Sequence, residues 1–143
     1  MRAFMIASLL IPAISACAQQ KPQNVENALV RLSAVPGNPA AAYFTLNVGP
    51  VDDRLMSVST PLAIRAEMHD MTVAGGMMKM TPLSDGIAVK AGAVLTFASG
   101  GKHVMLFDVS PKATPGSKMP LTLTFASGAT LDAQADVKAA GQK

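Results

Sequence analysis

The chain has 143 residues, half of them apolar and 15% charged, which suits one globular domain and not a disordered polymer. Its net charge of +3 comes partly from lysines scattered through turns and the C-terminus, with no dense Lys/Arg stripe and no interleaved aromatics, so nucleic acid is not the expected partner. A single cysteine leaves no disulfide framework and no cysteine cluster for zinc or iron–sulfur.

Met1-Arg2 gives a short positive start, and Ala3 to Ile14 is an apolar run too short for a stable bilayer anchor. Small residues and then Gln19-Gln20-Lys21-Pro22 follow, so the first 17 residues read as a secretory leader. Ile14-Ser15-Ala16-Cys17 resembles a bacterial lipobox, in which the cysteine receives lipid. Ala16-Cys17-Ala18 also fits ordinary cleavage, which would release a free periplasmic protein. The expected organisation is a leader over 1–17, a tether over 18–24 and one domain over 25–138. Lipidation of Cys17 places that domain in the periplasm at the membrane surface, with no free thiol for redox chemistry or metal ligation.

From Val25 onward the pattern is short apolar alternation cut by Gly, Pro, Asp and Asn. Strands are expected at 25–32, 41–48, 55–59, 64–71, 77–81, 87–89, 94–97, 103–109, 121–125 and 129–137. Ala42, Phe44, Leu46 and Val48 share one face of the second. Ile64, Ala66 and Met68 share one face of the fourth, and Arg65, Glu67, His69 and Met71 take the other. Pro111 to Pro120 reads as a loop, and Asp52-Asp53 as turn chemistry, not a catalytic pair. Strands this short, with turns every 8–12 residues, predict an antiparallel sandwich or barrel with no second domain.

The chemistry concentrates between Glu67 and Met105. Both histidines of the chain, His69 and His103, lie there with six of its ten methionines: Met68, Met71, Met77, Met78, Met80 and Met105. On a strand, His103 and Met105 project from one face about 6.5 Å apart along the backbone. His69 is expected near the end of its strand, with Met80 brought beside it across a Gly75-Gly76 hairpin tip. Methionine usually fills cores, and that role explains Met56, Met119 and Met68 in a chain with few aromatics. It does not explain five methionines from Met68 to Met80 around a glycine pair. Thioether with imidazole suits Cu(I), whereas zinc and hard cations bind thioether poorly, and a blue-copper site needs a thiolate. Motifs for serine hydrolases, zinc proteases and P-loop enzymes are missing from the sequence, so no enzymatic activity is expected.

These residues resemble the periplasmic PCu(A)C copper chaperones. That family's signature is a histidine, ten residues, a methionine, about twenty-one residues and His-x-Met; here ten residues separate His69 from Met80, and twenty-two separate Met80 from His103-Val104-Met105. The additional residue is expected in the Ser84-Asp85-Gly86 turn. Ala40 to Leu46, Asp53-Arg54-Leu55, Met80-Thr81-Pro82, Gly100 to Leu106 and Pro120 to Phe125 also look like the family pattern, which covers about residues 25–137. The resemblance implies a cupredoxin-like Greek-key β-sandwich and Cu(I) held by His69, Met80, His103 and Met105. It further implies delivery of copper to an acceptor protein, the Cu(A) centre of a terminal oxidase. Copper sequestration, or an interaction module without metal, are the competing readings.

Overall fold

The computed structural model describes residues 22–142; the leader, Cys17 and the first tether residues lie outside them. The described residues form ten strands and no helix: β1 (Asn24–Arg31), β2 (Ala40–Asn47), β3 (Asp53–Ser59), β4 (Ala63–Ala74), β5 (Met77–Pro82), β6 (Ile87–Val89), β7 (Val94–Phe97), β8 (His103–Val109), β9 (Lys118–Phe125) and β10 (Thr130–Lys138). Their hydrogen-bonded order is β5-β4-β8-β2-β1-β10-β9-β3-β6. All neighbours are antiparallel except β1 and β10. β2 forks, pairing with β8 through Ala40–Ala42 and with β7 through Phe44–Asn47.

Leu83 N donates to Met68 O at 2.8 Å, which continues the β4–β5 pairing one residue past β5. β3 and β4, from opposite ends of that order, pack together. The sheet therefore folds over itself, and the alternating side chains of its two layers meet inside. Ala40, Ala42, Phe44 and Leu46 of β2 point inward, as do Met119, Leu121, Leu123 and Phe125 of β9. Phe44 stacks on Phe97 with ring centroids 4.4 Å apart. Met68 and Met119 are buried, as expected of methionine filling a core poor in aromatics.

Several expectations are corrected. Met56 is not core: β3 changes register between Leu55 and Ser57, and this bulge turns Met56 outward at 39% exposure. Ile64 is 84% exposed and lines a surface groove with Val35, Pro36 and Val109, although Leu62 and Ala63 beside it pack against the core. β9 starts at Lys118, inside the expected loop. Pro120 sits there opposite Gln134 of β10, while β3 pairs with β9 only from Thr122 onward, so the missing N–H of proline faces no partner strand. Asp52 and Asp53 do serve turns: Asp52 receives Ala91 N and Lys90 Nζ, and Asp53 receives Arg54 N, Ser127 N and Ser127 Oγ.

Candidate metal centre

The β4–β8 pair sets the site. Val104 and Leu106 are fully buried, so β8 is anchored with His103 and Met105 on its other face. On β4 the same argument runs from buried Met68, which turns Glu67, His69 and Met71 to that outer face. The register places His69 opposite His103 and Glu67 opposite Met105. The two imidazole centroids are 5.9 Å apart, tilted by 33°.

His69 lies well inside its strand, contrary to expectation. β4 continues to Ala74, because Thr72 and Val73 suit a strand and the reversal needs only Gly75-Gly76, both with positive φ. The longer hairpin puts Met80 opposite Met71, and His69 opposite Pro82. Met80 is thus a diagonal neighbour of His69 on the same face, not its direct partner. Met80 is 44% exposed, and Met77 and Met78 near the tip are more exposed still.

Each histidine has one ring nitrogen engaged. His103 Nδ1 lies 2.9 Å from the Gly101 carbonyl and, donating to it, leaves Nε2 with its lone pair. His69 Nε2 lies 3.1 Å from Glu67 Oε2, and donation there leaves Nδ1 with its lone pair. That Nδ1 is buried without any hydrogen-bond partner. A buried imidazole nitrogen with a free lone pair, on a ring 5.9 Å from a second imidazole, is a donor suited to a cation. Glu67 also pairs with Arg65 Nε at 3.4 Å, and Arg65 in turn covers the Phe107 ring. Lys102 and Asp70, the neighbours of the two histidines, form a half-buried ion pair at 3.0 Å that ties β4 to the start of β8.

Among the described residues no three His, Cys, Asp or Glu side chains cluster in a metal-holding group. The donors beside the two imidazoles are thioethers, and Glu67 is occupied by His69 and Arg65. Two borderline nitrogens with soft sulfur form a donor set suited to a soft monovalent cation. The spacing of the sequence marked His69, Met80, His103 and Met105 and left Met71 among the additional methionines of the cluster; it did not mark Glu67, two residues before His69 on the same face. The signal for Met71 was present, since His69-Asp70-Met71 repeats the spacing of His103-Val104-Met105.

The family model of the LpqE-like proteins, described as "Putative lipoprotein LpqE-like", matches residues 24–137. The chain belongs to this family. A lipoprotein so described in Leifsonia xyli subsp. xyli is 26% identical over 96% of this chain and 89% of its own length. Among solved structures, the solution structure of CuI-DR1885 from Deinococcus radiodurans is similar at 32% identity, covering 88% of this chain and 85% of that one, with a TM-score of 0.67. The copper-bound PCuAC domain from PmoF2 shares the fold at 22% identity and TM-score 0.64, covering 84% of this chain and 97% of that domain. The architecture is therefore the expected all-β, cupredoxin-like Greek-key sandwich, and the resemblance to PCu(A)C proteins holds over nearly the whole described chain.

Proposed function

We propose that this protein is a Cu(I)-binding metallochaperone of the periplasm, which carries one ion between His69, His103, Met105 and Met80. The observation that carries this reading is the pair of facing imidazoles, one with a buried and unpartnered Nδ1, beside methionines on the same face. The similarity to a protein solved in a Cu(I) form and to a copper-bound domain supports it. Thioether ligands without thiolate hold Cu(I) yet let it go, as a carrier requires. The carrier has no reaction of its own. The functional unit is the domain over 25–138, tethered through residues 18–24 to a lipidated Cys17; the relative described as a lipoprotein supports the anchor. The acceptor is the Cu(A) centre of a terminal oxidase, a step that rests on the family resemblance.

The exposed methionines at the hairpin tip favour a second reading, copper sequestration with additional sites. Anaerobic Cu(I) titration against a chromophoric chelator separates the two. One tightly held ion per chain, weakened in His103→Ala, supports the chaperone; several equivalent ions supports sequestration. No competition with the chelator contradicts both and leaves a metal-free interaction module.

A further inference from the structure

An antiparallel strand pair has a local two-fold axis perpendicular to its sheet. In the β4–β8 pair that axis passes between His69 and His103, which stand directly opposite each other. Two residues beyond His69 on its strand is Met71; two residues beyond His103 on its strand is Met105. The axis relates these two methionines, so each His-x-Met unit places its sulfur on the same face, on opposite sides of the imidazole pair. Met71 is held in this position by the loop that also holds His103. The Gly101 carbonyl accepts Met71 N at 3.3 Å and His103 Nδ1 at 2.9 Å.

Met71 is also the direct cross-strand partner of Met80. Directly opposite side chains on a shared face have Cβ atoms about 5 Å apart, within reach of one ion for two flexible thioethers. Met71 is half-buried, whereas Met80 is open to solvent.

We propose that Met71 is a further thioether donor, which exchanges with Met80 on the bound Cu(I). The inference rests on the metal site proposed above. In the exchange the Met80 sulfur–copper bond breaks as the Met71 sulfur–copper bond forms. Copper stays monovalent, both thioethers stay neutral, and no proton moves. The ion thereby shifts between a sulfur exposed near the hairpin tip and one closer to the histidines. Met78 lies further toward the tip, opposite Val73, and has no histidine beside it. Met77 falls on the other parity of β5, opposite Ala74.

The test is anaerobic Cu(I) competition and sulfur-edge and copper-edge X-ray absorption on the wild type, Met71→Leu, Met80→Leu, the double variant and Met77→Leu as a control. Leucine keeps the bulk of methionine without its sulfur. With exchange, Met71→Leu loses less than about threefold in affinity and Met80→Leu about tenfold, while the double variant loses more than about a hundredfold, beyond the product of the singles. Copper in Met80→Leu keeps two sulfur neighbours, and in the double variant it keeps one. A double variant no weaker than Met80→Leu, or one sulfur already lost in Met80→Leu alone, overturns the role of Met71. The absorption result on Met80→Leu does not depend on any Met71 variant folding. A wild type that binds no Cu(I) overturns the metal site itself, and the two failures are thus distinct.

Discussion

His69 and His103 face each other directly across two antiparallel strands, with their ring centroids 5.9 Å apart. The core sets this distance, because buried Met68 on one strand and Val104 on the other are themselves paired and lock the register. A slip of one residue would turn both imidazoles inward. His69→Ala and His103→Ala are each expected to weaken Cu(I) binding at least about tenfold, or roughly 1.4 kcal/mol. Some loss of melting temperature is expected as well, since His103 is buried at 8% exposure and the His69 side chain is only 12% exposed. Chelator competition alongside thermal melts checks this; equal affinity in both variants contradicts the site.

Glu67 holds His69 through Nε2, and this leaves Nδ1 as the ring nitrogen with a free lone pair. Carboxylate partners of metal-binding histidines orient the ring and set its tautomer, and their loss typically costs ten- to a hundredfold in affinity. Glu67→Ala is expected to fall in that range, and Glu67→Gln, which keeps an acceptor oxygen, to lose less. Nitrogen NMR of the metal-free His69 ring should show the Nε2–H tautomer in the wild type and a mixture in Glu67→Ala. An unchanged tautomer would remove the positioning role.

Asp53 joins the start of β3 to the β9–β10 turn. The Ser127 hydroxyl, then the Arg54 and Ser127 backbone N–H groups, hold its carboxyl below the ordinary value of 3.8. A carboxylate with a lowered folded-state pKa stabilises the fold above its unfolded value, and that contribution is lost as pH falls through the folded value. Asp53→Asn should therefore melt below the wild type near neutral pH, with the gap closing below about pH 4. Thermal melts across that range check the sign; a gap that widens in acid contradicts it.

Gly86 packs against the β3 bulge. An added Cβ there would sit 2.4 Å from the Leu55 carbonyl oxygen, at φ +71°. Gly92 has the same φ with open space around it. Both Gly→Ala changes carry left-handed strain of about 1–2 kcal/mol, but only Gly86→Ala adds a clash with backbone. Urea unfolding should place Gly86→Ala clearly below Gly92→Ala, and equal losses would contradict the close approach.

The strand pattern was legible where one face alternates over a full strand. Ala42, Phe44 and Leu46 alternate inward as read, and β6, β7 and β8 have the read boundaries. The failures have local causes. Pro120 marks a break in most sequences, but not on a strand edge that lacks a partner at that point. Met56 reads as core filler in a chain poor in aromatics, and composition does not reveal the bulge that turns it outward. In the candidate site, parity places His103 and Met105 on one face, and the strand registers set His69 and Met80 on that same face. The length of β4 was hidden, and with it the pairing of Met71 with Met80. The Glu67 contact depends on side-chain reach along one face, which spacing alone does not specify.

X-ray absorption at the copper edge, on the anaerobic Cu(I)-loaded protein at one ion per chain, tests the central claim most directly. The account predicts a shell with nitrogen from His69 and His103 and sulfur from Met105 and one further methionine, and loss of one nitrogen neighbour in His103→Ala. A shell of nitrogen and oxygen without sulfur, or one unchanged in His103→Ala, would contradict it.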